Sequence, residues 1–497
     1  MRVSLSKRQF VEICKAGSVP PLSLKIPFQS PAALYEKLIS LNSILLESGK
    51  GPFHIARYSF ISFDPYLEFK VKNNVIETVR GAQRGISSRK PLAKLRDLLQ
   101  SYPQKADPAL PPFQGGAIGL LSYDFVHYFE RLPRKAIDDL SIPDAHFLLI
   151  DKLIAFDHKE QTAWIVVCPG ARSTRLGYNT VDRDVPSLYD EAEADLLHIK
   201  GLCASETRLY SCHPEEASPG DREIHFEIDS EYYRGMVRRA KEYIRAGDIF
   251  QANLAQRFSV RLGKIDPWDL YRSLSRINPA PFGAFAHFGD YSIVSSSPER
   301  LVSCRDRIAE TRPIAGTRPR GKSAREDETM RRELLLNEKE RAEHIMLIDL
   351  ERNDLGKVCE YGTVEVDEFM ITEDYSHVIH IVSNVKGMLS PRKDCFDLVR
   401  AVFPGGTITG VPKIRCMEII DELEPVSRGP YTGSIGYIGF SESMDLNIII
   451  RTFVCKSGRA YFHAGAGIVA DSDPEKEYQE TLRKAEALMA TIGVCAK

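Results

Sequence analysis

Gly433-Ser-Ile-Gly-Tyr-Ile-Gly-Phe440, Leu446-Asn-Ile-Ile-Ile-Arg-Thr-Phe-Val-Cys455 and Ala460-Tyr-Phe-His-Ala-Gly-Ala-Gly-Ile-Val-Ala470 are three strand-like runs in succession, followed by a helix. That helix is predicted over Pro474–Ile492, with Asp473 as N-cap, Pro474 at the first position and Gly493 closing it. Further strand-like runs lie at Tyr58–Phe63, His146–Ile150 and Tyr291–Ser295. Helical patterns run through Ala32–Glu47, Pro91–Tyr102 and Glu231–Ala246, and no Gly or Pro interrupts Ala324–Leu355. Strands and helices are mixed without the regular alternation of a doubly wound sheet. The predicted fold class is therefore α+β, with antiparallel sheets.

One stretch breaks this texture. Residues 169–225 carry Pro169-Gly170, Pro186, Pro214 and Pro219-Gly220, with one short helix near Leu188–Lys200. They read as a linker between a region 1–168 and a region 226–495. The 497 residues hold 66 Lys+Arg against 68 Asp+Glu, a net charge of −2, which argues against a nucleic-acid partner. Ten cysteines are scattered without a CxxC pair, so zinc-knuckle and dithiol redox readings have little support and a reducing compartment is expected. The first residues lack the apolar core of a signal peptide, and no apolar window approaches 18 residues. A cytoplasmic protein with no membrane partner is expected.

Two pairs of carboxylates stand three residues apart on helical sequence: Glu340 and Glu343, and Glu477 and Glu480, the latter with Lys484 one turn on. Each pair alone is what a solvated helix face offers. If the two helices met, up to four carboxylates would converge, and such a cluster calls for a divalent cation with a taste for oxygen, such as Mg²⁺. Phe403-Pro-Gly-Gly-Thr-Ile-Thr-Gly-Val-Pro-Lys413 permits close backbone approach to a ligand but fails the P-loop pattern. His463-Ala-Gly-Ala-Gly-Ile-Val469 offers backbone N–H groups to an anion. Arg451 is a lone cation in an apolar run, to be paired by a substrate carboxylate or by an internal salt bridge. Glu299 follows a strand and a turn, either as a general acid or as a turn carboxylate. His377 and His380 each read as core histidines when taken alone.

Several long motifs in order resemble the chorismate-utilising enzymes, a family that includes anthranilate, aminodeoxychorismate, isochorismate and salicylate synthases. They are Gly247-Asp-Ile-Phe-Gln-Ala-Asn-Leu-Ala-Gln-Arg257, Ser296-Ser-Pro-Glu-Arg300, Pro313–Gly321, Glu343–Gly356, Gly406–Lys413 and Gly465–Ser472. Leu45-Leu-Glu-Ser48 with Arg57-Tyr-Ser-Phe60 resembles the N-terminal region of the amino-transferring members. The resemblance implies two stacked antiparallel sheets with outer helices and an active site between them. It implies that Glu343 and Glu480 bind Mg²⁺, with Glu340 and Glu477 nearby. It puts Thr407, Tyr431, Arg451, Lys484, Gly465 and Gly467 around the carboxylates of chorismate. Glu299 would be the acid that assists departure of a ring hydroxyl, with His380 close to the ring. Glu47 and Ser48 would belong to a regulatory site or to its structural relic.

Gln251 stands where the isochorismate and salicylate synthases carry a lysine base that activates water. An amide takes no proton near neutral pH, which leaves ammonia as the nucleophile. No Gly-x-Cys-x-Gly-His glutaminase pattern is visible, so a separate glutamine amidotransferase subunit is expected as partner. Ala252–Leu254, Asn278–Phe282, Tyr431–Tyr437 and Asp445–Asn447 resemble the aminodeoxychorismate synthase branch. Ala315 points the other way, to anthranilate synthase, because many aminodeoxychorismate synthases carry a lysine there. The expected activity is Mg²⁺-dependent amination of chorismate to 4-amino-4-deoxychorismate, with anthranilate formation as the alternative. A non-catalytic homologue would have a broken carboxylate quartet, and here all four are present.

Overall fold

In the computed structural model, which describes residues 3–173, 184–205, 223–321, 323–374 and 378–495, the three runs near the C-terminus do not share one sheet. Ser434–Gly439 pairs with Met444–Asn447, and Thr452–Lys456 pairs with Arg459–Ile468 in a different sheet. The run Leu446–Cys455, read as one strand, is thus broken by a crossover at Ile448–Arg451. The crossover residues bond outside the ladder: Ile448 N–H donates to the Glu299 carbonyl (3.0 Å) and Ile449 N–H to that of Gly433 (2.9 Å). Arg451 takes a left-handed backbone (φ 51°), which few non-glycine residues adopt and which stops the extended run.

Among the described residues each sheet has 12 strands, and its ladders are antiparallel. The first runs, in spatial order, through Leu22–Ile26, Thr162–Val167, Lys152–Asp157, Tyr58–Ser62, Ser43–Glu47, Phe282–His287, Tyr291–Ser297, Thr452–Lys456, Arg459–Ile468, Gln251–Arg261 and His225–Phe226, with Gly410–Val411 beside Gln251. The second runs through Ile314–Pro319, Val378–Met388, Ile308–Thr311, Arg300–Arg305, Met444–Asn447, Ser434–Gly439, Gly116–Leu121, Ala145–Ile150, Leu67–Lys72, Val75–Arg80 and Gln83–Ser87, with Glu365–Asp374 also on Val378–Met388. The sheets meet face to face. Phe60 of the first packs edge-on to Tyr437 of the second (5.3 Å between centroids), and His146 Nδ1 shares a 2.9 Å hydrogen bond with Tyr291 OH across the gap. Ile44, Ala284 and Ile293 interleave there with Ile118, Leu148 and Ile435. Helices cover the outer faces: Ser230–Arg245, Pro267–Ile277 and Pro474–Cys495 on the first sheet, Glu338–Gly356 and Cys395–Val402 on the second. The α+β class and the two stacked sheets follow the expectation.

Other readings need adjustment. Regions 1–168 and 226–495 interleave, since each contributes strands to both sheets. Between them, the helix runs over Val185–Ala204, and the rest of the predicted linker falls largely outside the described residues. The helix read over Ala32–Glu47 ends at Leu38; Asn42 turns the chain at φ 58°, and Ser43–Glu47 is a strand between Tyr58–Ser62 and Phe282–His287. Asn337 divides the long helical stretch, accepting Glu340 N–H on its side chain (3.0 Å) to cap a second helix. Asp473 caps the last helix as expected, through Lys476 N–H at 3.0 Å, but the helix passes through Gly493 to Cys495. Among the described residues no helix is long and apolar enough to cross a membrane.

The inter-sheet packing gives a direct test. Phe60 is 3% exposed and touches the rings of Phe113 and Tyr437. Phe60→Ala should lower unfolding stability by about 3–5 kcal/mol, read as an earlier urea midpoint at unchanged slope.

Candidate active site

Glu299 sits where the chain leaves the first sheet after Tyr291–Ser297 and enters the second at Arg300–Arg305. Its carbonyl is held by the Ile448 N–H of the crossover, so these two changes of sheet lie side by side. Its carboxyl is buried and accepts a 2.8 Å hydrogen bond from Thr407 Oγ1. Burial pushes this carboxyl up to about 7, while Thr407, Arg451 and Lys484 pull the other way.

Lys484 on the last helix donates to the Gly465 carbonyl (3.0 Å) and pairs with Glu480 (2.8 Å). Gly465 and Gly467 face the strand Gln251–Arg261, with Asn253 directly opposite Gly467. A Cβ on Gly467 would stand 2.5 Å from Gln251 Nε2, and one on Gly465 2.6 Å from Asn253 Oδ1 and 2.9 Å from Tyr431 OH. Only glycine lets these polar side chains lie on that strand. Tyr431 itself stacks on His463 (4.8 Å, 10° between planes).

His380 comes from the second sheet. Its Nδ1 lies 3.2 Å from the Gly316 carbonyl and donates to it, which leaves the lone pair on Nε2. Burial first, and then the charge of Arg451, hold the imidazole down to about 4, so it is neutral near pH 7. Gly316 occupies the register shift between Ala315 and Thr317, at φ 62°. Ala315 therefore lies one residue from the carbonyl that orients His380. His377 lies outside the described residues.

Glu299, Thr407, Arg451, Lys484, Tyr431, His380, Gln251 and the two glycines thus form one linked set. The four carboxylates Glu340, Glu343, Glu477 and Glu480 come from two helices. Their helices pack on opposite sheets, and the charges find local partners: Arg318 for Glu340 (3.3 Å) and Lys484 for Glu480. Among the described residues no three His, Cys, Asp or Glu side chains stand together as a metal cluster. Glu340, Glu343, Glu477 and Glu480 are each half-buried. Carboxylate oxygens are still the donors Mg²⁺ favours, and it commonly takes one or two from protein and the rest from water and substrate.

Glu47 and Ser48 lie elsewhere, beside a separate cavity of about 260 Å³ between the sheets, lined also by Arg300, Tyr437 and Asn447. Tyr271 OH donates to Glu47 (2.6 Å), whose carboxyl burial raises, and Ser48 Oγ donates to the Tyr58 carbonyl (2.7 Å).

Sequence reasoning missed Arg428. It is 2% exposed and binds Glu424 through Nη2 (2.6 Å) and Nε (2.9 Å). It also donates to the carbonyls of Ile408 (2.9 Å) and Asn253 (2.7 Å), joining the Thr407 loop to the glycine-facing strand. Its guanidinium lies over the rings of Tyr123 and Tyr431. The only signal in the sequence was an acid and a base four residues apart.

Against this geometry, residues 41–490 match the family model for chorismate binding enzymes. The chain belongs to the chorismate binding enzyme family. This chorismate-binding enzyme is 42% identical over 476 residues to aminodeoxychorismate synthase component 1 of Bacillus subtilis (strain 168), covering 95% of this chain and 97% of that one. It is 40% identical to anthranilate synthase component 1 of Acetivibrio thermocellus, covering 97% and 96% of the two chains. Among solved structures it resembles anthranilate synthase component I from Streptococcus pneumoniae TIGR4, with TM-score 0.75 and 36% identity over 87% of this chain and 92% of that one.

Arg428→Ala in this chorismate-binding enzyme would strand the buried Glu424 carboxylate and two backbone carbonyls. It should cost about 3–5 kcal/mol of stability, measured by urea unfolding, with Glu424→Ala costing a comparable amount.

Proposed function

We propose that the chain is an aminodeoxychorismate synthase component I, which aminates chorismate with ammonia to 4-amino-4-deoxychorismate. The observation that carries this reading is Gln251 packed on Gly467. An amide there cannot take a proton from water, whereas ammonia brings its own lone pair. The choice of branch rests on Ala252–Leu254, Asn278–Phe282, Tyr431–Tyr437 and Asp445–Asn447, and the similarity to the Bacillus subtilis enzyme supports it. Anthranilate synthase component I is the second reading, favoured by Ala315 and by relatives of that name at similar identity.

In this reading Arg451, Lys484, Thr407, Tyr431 and the backbone of Gly465 and Gly467 bind and orient the two carboxylates of chorismate. Neutral His380 lies beside the ring without adding charge. Glu299 gives its proton to the ring hydroxyl as the carbon–oxygen bond breaks, and the hydroxyl leaves as water. The ammonia nitrogen forms the new bond to the ring with its lone pair and releases its surplus proton to solvent. Alanine at 315 offers no amine to attack the ring first. Glu343 and Glu480 would hold Mg²⁺, with Glu340 and Glu477 nearby, and the ion would supply positive charge against a substrate carboxylate. Ammonia would come from a separate glutamine amidotransferase subunit in the same cytoplasmic setting. The Glu47–Ser48 cavity is the proposed place for regulation.

The deciding assay incubates the chain with chorismate, Mg²⁺, ammonium and an added aminodeoxychorismate lyase, then separates the products. Para-aminobenzoate is expected; anthranilate formed without the lyase would replace this reading by the second. Glutamine in place of ammonium should give no product, and excess EDTA should abolish turnover. Glu299→Gln should lower kcat by ~10²–10⁴-fold with little change in KM. Burial raises the acid of Glu299 to about 7, so its proton is present below that pH and lost above it. In the unsubstituted chain kcat/KM should accordingly fall as pH rises through about 7.

A further inference from the structure

The helix Glu338–Gly356 buries a stripe made of His344, Ile348, Glu351 and Leu355, at spacings of four, three and four. A glutamate in such a stripe needs a reason. Glu351 is 4% exposed, and its Oε2 lies 3.1 Å from Thr311 Oγ1. The same hydroxyl oxygen lies 3.0 Å from the carbonyl of Leu301, which sits at the register shift between Arg300 and Val302.

Thr311 has one hydroxyl hydrogen and two oxygens to reach. If Glu351 were ionised, the hydrogen would go to the carboxylate, and the buried Leu301 carbonyl would face a bare oxygen lone pair. If Glu351 carries a proton, it donates to Thr311 Oγ1, and Thr311 donates to Leu301. The charged neighbours do not change this. Lys413 and Lys357 both bind Asp354, one turn along the helix, at 2.5 Å and 2.8 Å. Lys413 also donates to the Val402 carbonyl (3.0 Å). Burial opposes ionisation of Glu351. Lys413 favours that ionisation and Asp354 opposes it, and Glu299 opposes it only when itself ionised.

Above Glu351 lies the loop that serves Glu299. A Cβ on Gly406 would overlap Leu350 and stand 3.6 Å from Glu351 Oε1, so the backbone of Gly406 rests directly on this part of the helix. The next residue is Thr407, whose hydroxyl binds Glu299. We propose that Glu351 is a protonated, neutral positioning residue that supports the Gly405–Thr407 loop from below and keeps a further negative charge away from Glu299 and from an anionic substrate. This role rests on the reading of Glu299 as the acid, but the protonation of Glu351 does not.

Infrared spectroscopy of the unliganded full chain at pH 6 separates the two. The Glu299→Gln chain should show a carboxylic-acid C=O band that is lost in the Glu299→Gln, Glu351→Gln chain. No difference between these two chains would mean that Glu351 is ionised, and would overturn the proposal whatever reaction is catalysed. In the chain that retains Glu299, Glu351→Gln keeps a neutral donor for Thr311, whereas Glu351→Ala does not. Glu351→Ala should raise KM for chorismate and lower kcat, at least tenfold in kcat/KM. Glu351→Gln should restore most of that loss at pH 6.5. A glutamine variant as impaired as the alanine variant would show that the carboxylate is required, and would also overturn the proposal.

Discussion

The crossover at Ile448–Arg451 carries a constraint on which the site depends. Backbone groups buried between two sheets must find partners, and here they cannot use a ladder because the chain is leaving one. Ile448 N–H uses the carbonyl of Glu299, and Ile449 N–H uses the loop before Ser434–Gly439. Satisfying the crossover therefore fixes the backbone of Glu299. The same bend ends in Arg451, whose left-handed conformation is the kind of local cost that an over-determined surrounding sustains. The carboxyl and the guanidinium are brought to one place by hydrogen bonding that has nothing to do with their charges.

Charge then sorts the groups so placed. Burial keeps His380 neutral and raises the acid of Glu299. A raised acid and a neutral imidazole thus stand in one set with Arg451 and Lys484. Arg428 and Glu424 do the opposite job: both charges are spent internally, and the pair sets the spacing of the segments around Ile408, Asn253 and Tyr431.

Much of this was legible in the sequence, because long motifs specify local backbone as well as side chains. Glu299, Thr407, Arg451, Lys484 and the glycines of Gly465–Gly467 could be named before the fold was known. The sheet exchange at Ile448 could not, because an apolar run reads the same whether it continues a ladder or crosses between two. Ser43–Glu47 was misread as helix for a related reason: Ile44-Leu-Leu46 has no period of its own, and the turn at Asn42 is a single residue. Whether the two carboxylate pairs meet is not written in their sequence, since spacing along each helix says nothing about the distance between helices. Arg428 and Glu351 were passed over as ordinary charges, although Glu351 shares a stripe with Ile348 and Leu355.

The interleaving of early and late strands sets the order in which this chain can acquire structure. Gly116–Leu121 lies beside Ser434–Gly439, and Ser43–Glu47 beside Phe282–His287. During synthesis, the first third of the chain leaves the ribosome with strand edges whose neighbours do not yet exist. Closing such distant pairings pays a large loop-entropy cost, which slows folding and lengthens exposure of unpaired edges. Neither sheet is complete until nearly the whole polypeptide has been made.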